Sequence, residues 1–290
     1  SYVYLVNGEP QFLVGMGYNA VYRYLSPEER AARYDADFSR LREMGVNTIM
    51  GWDADKGYEQ DRFDTLTLDK AWEYGLGVVM PFYLPPEVDY EDPARRARMK
   101  ADLATKVMAY KDHPALRMWG IGNEVIEGVI ATEKVEAFAE FYLELAETAH
   151  ALDPNHPVIY READEVYLDL LTWYTPENAV DDPWLLYGMN AYTFRLKKIL
   201  ASWTSLSYGM PLFVSEFAPE GFSPADRPDG YLAMWEMMRA HPEFLLGAAP
   251  YVWTQQGPEP VDEHFGLVDA EGNSTDGSLE VLAAAFREAN

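Results

Sequence analysis

The stretch "ALRMWGIGNEV" (115–125) is an apolar run of strand length that closes on Asn123 and Glu124. An ionised carboxylate is costly to remove from water, and the run from Ala115 to Ile121 offers little to satisfy one. Glu124 either escapes to solvent at the strand's end or is held in a site. The rest of the chain has to decide.

Seven further runs have the same character: 11–19 ("QFLVGMGYN"), 46–52, 77–83, 157–162, 185–192, 211–217 and 245–253. With 115–123 they make eight. Longer amphipathic stretches lie between them. The stretch 26–45 has Ser26 as N-cap, Pro27 in the first turn, Glu29 at the capping-box position and Gly45 as its stop. Further helices are expected over 66–75, 92–112, 132–153, 165–174, 194–209, 229–241 and 278–289. Eight strand–helix units with strands apolar on both faces imply a parallel sheet covered by helices. An open doubly wound sheet is the other arrangement of such units. Eight of them in 290 residues, with no mid-chain linker, match a closed (β/α)8 barrel, an α/β fold in one domain. Residues 1–12 look like a short hairpin turning at Asn7-Gly8 and closing the barrel's bottom.

In such a barrel the site lies at the C-terminal ends of the strands. Those ends carry Asn19, Trp52, Tyr83, Asn123, Glu124, Arg161, Asn190, Tyr192, Glu216 and Trp253, while the strand bodies are apolar. Glu124 ends the fourth strand and Glu216 the seventh, nearly opposite across the barrel. Two carboxylates facing one pocket are the apparatus of glycoside hydrolysis, one as proton donor and the other as nucleophile or base. Each alone is as well explained by capping a strand or binding a loop amide. Both together, among aromatic neighbours, favour the site.

Composition narrows the substrate. The formal net charge is −25, which repels nucleic acid and anionic membrane surfaces, so a neutral carbohydrate is the expected partner. The 20 tyrosines and 8 tryptophans exceed the needs of a core and suit faces that stack on a sugar. Cysteine is absent, which excludes disulfides and thiolate metal sites. No run approaches the roughly 18 apolar residues of a membrane span. No signal peptide is visible, so a compartment is not indicated. The loop 53–57 has a calcium-loop flavour, but Tyr58 stands where that loop requires glycine. His113 and His241 read as structural, whereas His264 lies in a loop that can reach a substrate.

The motifs then become familiar. "HPALRMWGIGNE" (113–124) resembles the fourth-strand signature of clan A glycoside hydrolases, especially families two and five. "GMNAY" (188–192) is similar to their sixth-strand Asn-x-Tyr, and "PLFVSEFA" (211–218) to the segment that carries the nucleophile. "GEPQFLVGMGYN" (8–19), "ALDPNHPVIY" (151–160) and "FGLVD" (265–269) extend the resemblance over nearly the whole chain. It implies a retaining β-glycoside hydrolase needing no metal or cofactor, with Glu124 as acid/base and Glu216 as nucleophile. It further implies that Asn123 bonds the sugar's 2-hydroxyl, that Tyr192 orients Glu216 and that Trp253 floors the central subsite. Asn190, Trp52, Tyr83, Asn19 and Arg161 are expected around the sugar, which would be a mannan, glucan or galactan type.

One departure stands out. The second strand in these families often ends with an Arg that contacts the nucleophile, and "TIMGWD" (48–53) has none. Arg161 either supplies that charge or forms a surface ion pair with Glu162 or Asp164. Many relatives also carry β-sandwich domains before the barrel, so a stand-alone or excised barrel is expected. Two alternatives remain open: a β-glucan transglycosylase of the same clan, and a catalytically silent carbohydrate-binding barrel.

Overall fold

A computed structural model of the chain describes residues 1–22, 24–53, 63–130, 133–163, 183–206 and 210–289. Eight parallel strands close into a barrel: β3 (Leu13–Gly17), β4 (Thr48–Met50), β5 (Gly77–Phe82), β6 (Leu116–Ile121), β7 (Val158–Glu162), β8 (Leu185–Ala191), β9 (Leu212–Phe217) and β10 (Leu245–Pro250). β10 pairs with both β9 and β3, so no edge is left open. The open doubly wound alternative is thereby excluded.

The helices form where the sequence signals them. Ser26 and Glu29 make a reciprocal capping box on the helix Pro27–Met44, which stops at Gly45 in the left-handed conformation. The helix expected over 165–174 and the loop at 54–57 lie outside the described residues.

Two cores follow from the strand alternation. Outward-facing residues such as Val14, Val78, Trp119 and Val214 pack under the helices. Inward-facing Leu13, Met50, Val79, Met118, Ile159, Leu186, Phe213 and Leu246 fill the barrel. Ahead of the barrel, β1 (Leu5–Val6) and β2 (Glu9–Pro10) form a hairpin. Asn7 and Gly8 both have positive φ, as a two-residue hairpin turn demands. Tyr4 packs into the inner core and donates a hydrogen bond to the Arg117 carbonyl. This hairpin plugs the end of the barrel opposite the strands' C-termini. The other end is left for chemistry.

Candidate active site

β8 and β9 lie side by side, with Asn190 registered against Glu216. Asn190 lies at the last inward-facing position of β8, and Tyr192 is the first residue past its end. From there they reach both carboxylates. The Asn190 Nδ2 donates to Glu124 Oε1 at 2.8 Å and to Asn123 Oδ1 at 3.2 Å. The Tyr192 hydroxyl donates to Glu216 Oε2. Trp52 Nε1 donates to the other oxygen, Oε1, at 2.6 Å. Ser215 Oγ, one residue before Glu216, holds Asn190 Oδ1 at 2.8 Å and so fixes which end of that amide faces Glu124.

Glu124 is held by unusual backbone. Its φ is +52°, a conformation costly for a residue with a side chain and characteristic of functional positions. Its N–H donates to the Arg161 carbonyl at 3.0 Å, which ties the end of β6 to β7. The chain then enters the helix Val125–Ile130, whose Ile126 N–H is capped by Glu162 Oε2 at 3.0 Å. Glu162 also accepts from Ala163 N–H at 2.9 Å and from the Tyr160 hydroxyl. Glu124 thus does not escape to water at its strand's end. It borders a cavity of about 400 Å³, lined in part by Asn190, Tyr192, Arg195, Glu220 and Phe265.

Burial pushes the carboxyl of Glu124 up, against the donor Asn190 and the charge of Arg161. Burial and then the neighbouring Glu124 push Glu216 up as well, against Tyr192, Trp52 and Arg161. Both acids resist ionisation, and the pair therefore holds a proton at neutral pH. Burial weighs most on Glu216. Glu216, however, receives two side-chain donors and Glu124 one, and donors favour the charged form.

The remaining expected residues divide. Trp52 is partly buried, and its ring meets Tyr251 edge-on at 5.5 Å. Asn123 is half-buried beside Glu124. Tyr83 lines a separate cavity with Asp53 and Phe82, not the one bordered by Glu124. Asn19 is a structural clip: its amide donates to the Thr254 carbonyl at 2.8 Å and accepts from Thr254 N–H at 3.0 Å. It lies two residues past the end of β3, where strand alternation no longer aims a side chain.

Trp253 does not floor the pocket. It is 1% exposed and packs under the Arg40 guanidinium of the helix Pro27–Met44, outside the barrel. β10 ends at Pro250, three residues before it. The aromatic beside Trp52 and Tyr192 is Tyr251, which the sequence reading passed over although it is the first residue after the strand. Arg161 is 0% exposed, buried inside the barrel, and among the described residues it forms no ion pair; Asp164 lies outside them. His264 is exposed and meets Phe265 edge-on.

Among the described residues no group of three or more His, Cys, Asp or Glu is arranged to hold a metal ion, and no helix is long and apolar enough to cross a membrane.

No protein-family model and no curated protein matches the sequence. Solved structures do match the fold. A Bacteroides uniformis β-glucuronidase superposes with a TM-score of 0.74 at 16% identity, over 97% of this chain and 36% of that one. A Dictyoglomus thermophilum β-D-glucuronidase gives 0.72 at 16%, over 98% and 52%. A family-two β-galacturonidase of Eisenbergiella tayi, bound to galacturonate, gives 0.72 at 18%, over 98% and 52%. The chain spans about a third to a half of these proteins. At such identities the likeness establishes the barrel. Family five and neutral sugars, both expected from the sequence, have no counterpart among these three.

Proposed function

We propose that this chain is a retaining β-glycoside hydrolase of the family-two type. The observation that carries the proposal is the wiring of two carboxyls from the end of β8, Asn190 to Glu124 and Tyr192, the next residue but one, to Glu216. Glu124, holding the proton, protonates the leaving oxygen while Glu216 attacks the anomeric carbon. Water then cleaves the glycosyl-enzyme with Glu124 as base. Once Glu216 is esterified its charge is gone, and Glu124 loses its proton more readily. Asn123, beside Glu124, and Tyr251, beside Trp52 and Tyr192, are the residues this reading puts next to the sugar.

For the sugar, the net charge of −25 disfavours a polyanion. A single uronic carboxylate is not a polyanion, and the neighbours named above are uronidases. Arg195 lies exposed on the cavity wall. These observations favour a β-uronide over a neutral glycoside. Aryl β-glucuronide and β-galacturonide should turn over faster than the matching glucoside, galactoside and mannoside. Faster turnover of a neutral member would reverse the choice of sugar.

The mechanism is tested by trapping. A 2-deoxy-2-fluoro glycosyl fluoride of the best sugar should inactivate the enzyme and leave its mass on the peptide containing Glu216. An adduct on another residue would remove Glu216 as nucleophile, and product of inverted configuration would remove the double displacement.

A further inference from the structure

We propose that Arg161 is a positioning residue, a buried counter-charge delivered from β7 that keeps a single negative charge on the Glu124–Glu216 pair. The proposal rests on the reading of those two residues as the reacting carboxyls.

Arg161 crosses the barrel interior. Its Nη1 donates to the Gly51 carbonyl at 2.8 Å, just past the end of β4, and its Nε donates to the Gly122 carbonyl at 3.3 Å. Its Nη2 has no partner among the described residues, and none of their carboxylates forms a contact ion pair with it. A guanidinium buried on these terms costs the fold stability. The barrel is nonetheless cleared to receive it. A Cβ at Gly188 would stand 2.8 Å from the Arg161 Cγ, and one at Gly120 would stand 3.6 Å from the guanidinium carbon. The Gly188 distance is closer than a Cβ can stand, so β8 forgoes a side chain where the arginine passes, whereas the Gly120 distance is ordinary contact.

The groups that face this cation account for the arrangement. Glu216 acts on it most strongly among the charged neighbours, followed by Asp53, Glu124 and Tyr142. Asp53 is already matched by Lys106. The Tyr142 phenol is pushed up by burial and is neutral. That leaves the reacting pair. Glu127 adds a charge that opposes ionisation of Glu124, and Glu162 lies beside it, while Arg161 favours its ionisation. The Arg161 charge favours the ionised form of both carboxyls, so its loss should leave the pair more protonated at a given pH. The charge that the second strand does not supply comes instead from the fifth barrel strand, β7, and is anchored on the Gly51 carbonyl, just past the end of the second barrel strand, β4.

The test compares wild type with Arg161→Met and Arg161→Lys. kcat/KM for the best aryl glycoside is followed from pH 4 to 9, and the glutamate carboxyls are titrated by carbon NMR. Arg161→Met should move the acid limb up by about one pH unit or more and lower kcat at neutral pH with KM little changed. Arg161→Lys should return the limb to the wild-type position. The NMR titration should show the pair's first ionisation rising by the same amount in Arg161→Met. That readout needs no turnover, so an inactive wild type would sink the glycosidase reading while the effect of Arg161 on the two carboxyls stayed measurable. If Arg161→Met does not fold, Arg161→Gln removes the charge while keeping a donor for the carbonyls, and the same shift is expected. An acid limb and titration unmoved by loss of the charge, or moved as far by Lys as by Met, would overturn the proposal.

Discussion

At the scale of single residues, Glu216 and Glu124 differ in what their loss should do. Glu216→Ala leaves no nucleophile, so turnover of every substrate should fall by a factor of roughly 10⁴ or more. Glu124→Ala should be far milder on substrates with good leaving groups, because these need little protonation to depart. Azide should partly rescue that variant by intercepting the glycosyl-enzyme. Kinetics on paired activated and unactivated aryl glycosides decide the matter; equal losses in both variants would contradict the roles. Coupling between the two makes a second forecast. The charge on Glu216 opposes ionisation of Glu124, so Glu216→Gln should lower the pKa of Glu124. An unchanged value in a carbon NMR titration would mean that the two carboxyls do not form a pair.

At the scale of the element, β8 is the strand on which the site depends. Its C-terminal end holds one carboxyl through Asn190 and the other through Tyr192, the first residue past the strand. Removing the phenol removes a donor that favours the carboxylate form of Glu216, so Tyr192→Phe should raise the pKa of that group. The acid limb of kcat/KM should move to higher pH, and the rate below pH 6 should fall by about 10-fold. A profile superposable on wild type would show that the hydroxyl does not tune the nucleophile. On the outer layer, the Ser26 cap offers a contrast. Ser26→Ala should cost about 1 kcal/mol in denaturant unfolding and leave the pH profile where it was.

At the scale of the whole molecule, buried acids tie stability to pH. Burial raises Glu162 to about 7, despite its three donors, and raises Glu216 as well. A carboxyl whose pKa is raised by folding binds its proton more tightly in the folded state. Its contribution is fully present below the unfolded value of about 4.3 and is lost as pH rises through the folded value. The melting temperature should therefore fall between about pH 5 and 8. For Glu162 the loss amounts to roughly 3 kcal/mol. Glu162→Gln cannot titrate and should flatten this part of the curve, as differential scanning calorimetry would show. A wild-type melting temperature that rises over that window would mean that these acids are ionised in the fold.

The sequence by itself determined the barrel, because each piece of evidence for it was local. Eight apolar runs, caps such as Ser26–Glu29 and stops such as Gly45 depend on neighbours a few residues away. It also picked out Glu124 and Glu216, since carboxyls at the ends of apolar strands stand out wherever the strands go. The side chains around them were less legible. Asn19 and Trp253 lie beyond their strands, where alternation stops predicting direction, and only the closed structure turns one to Thr254 and the other under Arg40. Tyr251 took the place given to Trp253 because β10 ends at Pro250, a proline inside the apolar run 245–253 that marks the strand's end. Arg161 posed the same problem in its sharpest form. Its sequence neighbours Glu162 and Asp164 suggested a surface pair, yet its β7 position aims it inward, across space left by Gly188, to Gly51. Those glycines are 27 and 110 residues away along the chain. Whether a charged side chain reaches water or crosses a barrel depends on what the other strands leave empty, and that is decided only once the barrel closes.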